Sequence, residues 1–202
     1  MGAERACISC GVVWILLAVA PAGPLGCRGP GPQEREPATR PGAGTMAIKI
    51  ESEVFGRNQA IPGKYTGEGQ DISPPLRWSS LPEGTKQLAL IVDDPDAPRP
   101  EPWVHWVLYN IPPNVDSLPE GIETRKTLKT PAGAMQGENS WGRIGYGGPM
   151  PLPGHGVHHY RFKIYALDDE LKLKPGLDKD GLLMVITGHI LGEGELVGSY
   201  RR

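Results

Sequence analysis

Residues 46–202 predict a mainly β domain, and three observations carry that prediction. Glycine (28) and proline (22) are abundant while aromatic residues make up 6% of the chain, a composition that divides it into many short segments joined by turns. The apolar runs are brief, as in Leu88-Ala89-Leu90-Ile91-Val92, the length of a strand rather than a helix. Elsewhere apolar and polar residues alternate at period two, most clearly from Val157 to Leu167.

Taken in order, Ile48-Lys49-Ile50-Glu51 alternates and predicts a first strand. Phe55–Gly69 is broken by Pro62-Gly63, Gly67 and Gly69 and predicts turns. In Asp71–Trp78, Pro74 and Pro75 exclude a helix and suit an edge strand or a turn. Leu81–Thr85 turns into Leu88–Val92, whose unbroken apolar run predicts a strand buried on both faces. Trp103–Tyr109 predicts the next strand, with Trp103, His105 and Val107 on one face and Val104, Trp106 and Leu108 on the other. Asn110–Gly121 is loop. Residues 122–147 lack periodicity and predict a long ordered loop, and such loops in compact domains are usually functional. Alternation then turns His158, Tyr160, Phe162 and Ile164 inward and His159, Arg161 and Lys163 outward. Asp178–Leu191 predicts the one helix, with Leu182, Leu183, Ile186 and Ile190 on a stripe, and Glu195–Tyr200 a final strand.

Residues 1–45 have a different character. Arg5 precedes an apolar segment from Ile8 to Ala20, shorter than the ~20 residues of a membrane span and suited to a secretory signal. Ala18-Val19-Ala20 and Ala20-Pro21-Ala22 are alternative processing sites. Leu25-Gly26-Cys27 resembles a lipoprotein box with its leucine one place too close, so Cys27 is a candidate for lipidation. Residues 28–45, rich in proline, glycine and arginine, would then form a tether. Met46-Ala47-Ile48-Lys49 also reads as a start, which would make the product cytoplasmic, and both readings stand. Cys7, Cys10 and Cys27 all lie in the leader, so the domain has no thiol chemistry and no disulfide. Four of the 21 Lys/Arg and three of the 23 Asp/Glu are also there, which leaves the domain slightly acidic. That balance offers no basic surface for nucleic acid. The domain's 157 residues are enough to bury roughly 70% of the unfolded surface.

Chemistry concentrates in two places. Asp93, Asp94 and Asp96 crowd the end of the Leu88 strand, with His105 on its neighbour. Gly148–Gly156 is a proline-stiffened loop running into His158 and Tyr160. Three readings compete. A small anion pocket would use a histidine beside an aspartate, whose charged form is favoured, together with a phenol and turn N–H groups; the acids would orient the imidazoles. A metal site of His105, His158 and Asp94 fits by residue type, but no histidine pair on one element faces the same way. A Ser-His-Asp hydrolase lacks a G-x-S-x-G. His105 also reads as an ordinary satisfied core histidine, and Asp94–Pro98 as a capped turn. His155, His159 and His189 read as a loop, an outward face and a helix end, and the tryptophans as core and pocket walls.

Asp94-Pro95-Asp96-Ala97-Pro98, Trp103-Val104-His105, and Gly148-Pro149-Met150-Pro151 followed by His158-His159-Tyr160 together resemble the phosphatidylethanolamine-binding protein family. Asp71–Trp78, Gly142–Pro149 and Glu195–Tyr200 are similar to its bacterial and archaeal YbhB/YbcL branch, often labelled Raf kinase inhibitor-like. The resemblance spans Met46 to Arg202. It implies a Greek-key β-sandwich with one or two short helices and a small anion pocket. Asp94, Asp96, His105, Gly148, Pro149, His158 and Tyr160 would line that pocket, with Pro98 and Trp103 in support. It implies no catalytic residue, metal or cofactor. The implied partners are a small phosphorylated or carboxylated ligand and, in the alternative reading, a protease or kinase inhibited by a monomer or homodimer. Two positions depart from the family: Gly67, where cysteine is frequent, and Met150, where cysteine or proline is.

Overall fold

The computed structural model describes residues 46–202. The signal-like leader and Cys27 lie outside the described residues. The strands are β1 (Met46–Ala47), β2 (Lys49–Glu51), β3 (Leu76–Ser79), β4 (Gln87–Asp94), β5 (Trp103–Ile111), β6 (Ser117–Leu118), β7 (Met135–Gln136), β8 (His158–Leu167) and β9 (Ile190–Tyr200), with one α-helix, α1 (Lys179–Ile186). They form a six-stranded sheet in the order β1-β9-β8-β4-β5-β7 and a three-stranded sheet in the order β2-β3-β6. All pairings are antiparallel except that of β1 with β9.

Strand β4 lies at the centre, and every one of its residues is buried. Leu88, Leu90 and Val92 point to a core shared with Trp106, Leu108, Phe162 and Ile164 of the large sheet and Ile50, Leu76 and Trp78 of the small one. Ala89 and Ile91 point the other way, to Val107, Tyr109, Tyr165 and Leu167 beneath Leu182 and Ile186 of α1. Burying Leu182 and Ile186 is worth roughly 1.5–3 kcal/mol each. The doubly apolar sequence of β4 thus has its cause: sheet on one side, helix on the other.

Three expectations need correction. The helix predicted over Asp178–Leu191 ends at Ile186, and Ile190 and Leu191 open β9, which begins five residues before the predicted Glu195. Asp178 caps the helix by accepting from the Gly181 N–H, and Gly188 at φ +90° turns the chain out of it. No side chain fits at two glycines of β9: a Cβ at Gly194 would strike the Ile48 carbonyl and one at Gly198 would strike Ile61 and Phe55. They admit close backbone approach instead. The predicted first strand is β2, paired with β3, while Met46 and Ala47 pair with β9 and the chain changes sheet at Ile48; Asn110–Gly121, predicted as loop, instead holds the end of β5 and all of β6. Within the long 122–147 segment, β7 adds an edge to the large sheet.

The third correction positions the site. Val92 pairs with Trp106 and Asp93 with Val104, which leaves His105 as the extra residue of a β-bulge. Strict alternation put Val107 with His105 and Val104 with Trp106. The bulge reverses both: Val104 packs with Val107 under the helix, while His105 stays on the Tyr160 side, with their ring centroids 5.0 Å apart.

Candidate functional site

At one end of the large sheet, where β4 and β5 stop and β8 starts, a hollow of about 240 Å³ opens. Asp94, His105, His158 and Tyr160 contribute its polar groups. Ala97, Pro98, Arg99, Trp103, Trp141, Met150, Pro151 and Leu152 make the walls. Period two explains the first set: Asp93 and Asp94 are sequence neighbours and so face opposite sides of β4. Asp93 turns toward the helix side, where Arg161 Nε and Lys179 Nζ bind its carboxylate at 2.8 and 2.6 Å. Asp94 turns toward the hollow and accepts from His158 Nδ1 at 2.7 Å and from the Asp96 N–H at 2.9 Å.

His158 is 3% exposed, and both its ring nitrogens are engaged. Nδ1 donates to Asp94, and Nε2 lies 3.2 Å from Nδ1 of His155, an exposed residue of the loop before β8. His105 is held from the other side. Its Nδ1 donates to the Gly147 carbonyl at 2.6 Å and its own carbonyl accepts the Gly147 N–H at 2.9 Å. Burial pushes the His105 pKa below its ordinary value, against the opposing pull of the Gly147 carbonyl and of Asp94. A lowered pKa favours the neutral imidazole at His105, which leaves its Nε2 as an acceptor. The Tyr160 phenol, 1% exposed, is pushed well above its ordinary range by burial, with the Asp94 carboxylate adding to the effect. The two come close without meeting the geometry of a hydrogen bond, and the Tyr160 hydroxyl has no partner among the described residues.

The walls form an aromatic and cationic stack. Trp141 meets Trp103 and His105 edge to face, with centroids 5.2 and 5.1 Å apart, and the Arg99 guanidinium lies 4.5 Å from the Trp103 ring centre. Trp141, Met150 and Leu152 are exposed at the mouth. The two positions that depart from the family are neighbours: a Cβ at Gly67 would meet Met150 Sδ at 2.7 Å. The methionine fills space that a larger residue 67 would occupy.

Three of the expected lining residues lie elsewhere. Asp96 is not on the wall; its carboxylate accepts from the backbone and Nδ1 of the exposed His159. Burial works to raise the Asp96 pKa, but these bonds outweigh it and hold it below its ordinary value. Gly148 donates to Asp71 Oδ1, and Pro149 accepts from the Gly67 N–H. A Cβ at Gly148 would come within 2.5 Å of the Tyr65 carbonyl, so this glycine serves a close backbone crossing behind the wall. Pro98 and Trp103, expected as support, line the hollow directly. Residues not foreseen are Arg99, for which the sequence holds no signal, and His155, whose spacing to His158 is visible but whose loop gives no rule for orientation.

A second hollow, about 300 Å³, lies beside α1 with Glu101, Glu138, Asp178, Asp180 and Lys179 on its walls. Of these, Asp178 is used as the helix cap and Lys179 is bound to Asp93. Among the described residues no group of three His, Cys, Asp or Glu could hold a metal ion, and no helix is long and apolar enough to cross a membrane.

A twisted β-sandwich with a helix on its outer face and a polar, aromatic-walled hollow at the strand ends defines a fold class that comparison then identifies. Residues 51–201 match the phosphatidylethanolamine-binding protein family, and the chain belongs to it. Within it, the UPF0098 protein PH1269 of Pyrococcus horikoshii is 52% identical over 157 residues, 78% of each chain. The crystal structure of Escherichia coli YbcL, described as a member of the mammalian family, is 32% identical with a TM-score of 0.71, covering 77% of this chain and 98% of that one. The Mycobacterium tuberculosis protein named "Putative lipoprotein LppC" is 38% identical over 186 residues, covering 87% of this chain and 88% of its own.

Proposed function

We propose that this protein is a non-enzymatic binder of small anionic head groups, phosphate or carboxylate, taken up in the hollow between Asp94, His105, His158 and Tyr160. The observation that carries the reading is the Tyr160 hydroxyl, a buried donor with no partner beside a hollow of small-molecule size. Leaving such a group unpaired costs about 1–3 kcal/mol, and a ligand oxygen would repay it. His158, fixed by a carboxylate, supplies the donor or cation. Neutral His105 supplies an acceptor, which favours a ligand that also donates, such as a singly protonated phosphate monoester or a phosphate ester bearing an ammonium group. Nothing favours a Ser-His-Asp or cysteine-based enzyme: the domain has no cysteine, and among the described residues no serine hydroxyl is bonded to a histidine. Calorimetric titration of inorganic phosphate and phosphoethanolamine between pH 5 and 9 tests the reading. Saturable binding is expected; no binding at any pH refutes the reading.

The exposed Trp141, Met150, Leu152 and Val157 around the mouth favour a second reading, an inhibitor of a protease or kinase that uses this rim as its contact, since such residue types concentrate at protein interfaces. Partner capture that survives Asp94→Ala with His158→Ala would support it. For location, the match to LppC covers more of the chain than residues 46–202 alone can supply, which supports a translated leader and export with Cys27 as lipid anchor. Mass analysis of the native N-terminus decides between that and a start at Met46.

A further inference from the structure

His158 is the residue on which the anion reading most depends, yet in this structure it has nothing to offer a ligand. Its Nδ1 proton goes to Asp94 and its Nε2 faces His155 Nδ1 at 3.2 Å. We propose that His155 is a built-in stand-in for the ligand, a latch that occupies the outward nitrogen of His158 and must be displaced before an anion can take its place. The proposal rests on the anion reading and adds to it a competing intramolecular contact.

Proton bookkeeping shows why the latch is conditional. With His158 Nδ1 protonated toward Asp94, a single proton is available between the two facing nitrogens, so one donates and the other accepts. A ligand that displaces His155 must therefore bring its own hydrogen for Nε2, as a singly protonated phosphate does. Around the pair, Asp94 is bonded to His158 and Asp96 to His159. From the other elements, neutral His105 on β5 and the protonated Tyr160 on β8 add no charge, and Tyr200 at the end of β9 and Arg202 beyond it are both bonded to Glu68.

The loop is built to let go. Gly154 and Gly156, on either side of His155, have φ of +78° and +95° with open space where a Cβ would stand. Residues 152–157 are exposed. Apart from the histidine contact, the loop is tied back by Gly154 N–H to the Arg202 carbonyl at 3.4 Å and by a local bond from the His155 N–H to the Leu152 carbonyl. Pro151 and Leu152 belong to the wall of the hollow, so release of His155 both frees Nε2 and loosens the mouth.

The test compares wild type, His155→Ala and His155→Asn by titration with inorganic phosphate at pH 8. Residue 155 is exposed, so both variants fold. His155→Ala binds phosphate about two- to tenfold more tightly than wild type, because one net hydrogen bond no longer has to be broken and the phosphate's own hydroxyl can donate to the vacated Nε2. His155→Asn keeps an amide donor to Nε2, so it binds like wild type. Equal or weaker binding by His155→Ala at pH 8 overturns the proposal. Absence of phosphate binding in all three overturns the anion reading, and the latch is then judged by 15N spectra of the imidazoles. There His155→Ala moves the His158 Nε2 resonance if the contact exists in solution, and an unmoved resonance refutes it.

Discussion

Tyr160→Phe should make this protein more stable and less able to bind. The ring is 1% exposed and packs against His105 at 5.0 Å; phenylalanine keeps that packing and removes only the oxygen. In the unliganded fold the hydroxyl has no partner among the described residues and is closed to solvent, whereas in the unfolded chain water satisfies it. Relief of that penalty is worth about 1–3 kcal/mol, or roughly 2–4 °C in Tm for each kcal/mol in a domain of this size. In the complex the same oxygen donates to an anion, and loss of a charge-assisted bond of about 1.5–3 kcal/mol weakens binding by roughly ten- to a hundredfold. Differential scanning calorimetry on both proteins, with and without phosphoethanolamine, measures both effects. A variant at least 1 kcal/mol less stable than wild type would show that the hydroxyl is already satisfied in the free protein, and the argument from an orphaned donor would fall.

Two further outcomes follow from the same geometry. Asp94→Ala removes the acceptor of a buried imidazole N–H and the cap on the Asp96 amide, and should cost about 3 kcal/mol by urea denaturation; a loss under 1 kcal/mol contradicts the buried pair. For His105 the folded pKa lies below the unfolded value of about 6.5, so below pH 6.5 the unfolded chain takes up a proton that the native state refuses. Stability from this residue is thus present above about pH 6.5 and lost as pH falls toward the folded value, with a slope of at most about 1.4 kcal/mol per pH unit. Urea midpoints between pH 4.5 and 7.5 for wild type and His105→Gln should differ by that one-proton slope, and parallel curves would contradict it.

The central architecture was legible because it follows from period and composition. Five apolar residues in a row at Leu88 announced a strand covered on both faces, and alternation after Val157 placed His158 and Tyr160 inward, as β8 does. What stayed hidden depends on contacts between distant segments. The bulge at His105 leaves no mark in the alternation of β5, since it exists only in the pairing with β4. The first half of β9 is not legible because only the packing of Pro82 against Gly192 and of Ile48 against Gly194 shows why glycine stands there. At the site, the family resemblance named the polar residues, but Asp96 turned outward to His159 and Gly148 served a backbone crossing. The fall in the His105 pKa is not legible in sequence, because a nearby carboxylate shows there and full burial does not. His155 reads only as a loop residue because a glycine-flanked loop has no face.

A crystal structure of the protein grown with phosphoethanolamine tests the account most directly. The phosphorus should lie in the hollow bounded by Trp103, Trp141 and Pro151, with one ligand oxygen within hydrogen-bonding distance of the Tyr160 hydroxyl and another near His158. Density for the ligand only beside α1 among Glu101, Asp178 and Lys179, or a hollow filled by water at saturating ligand, would contradict it.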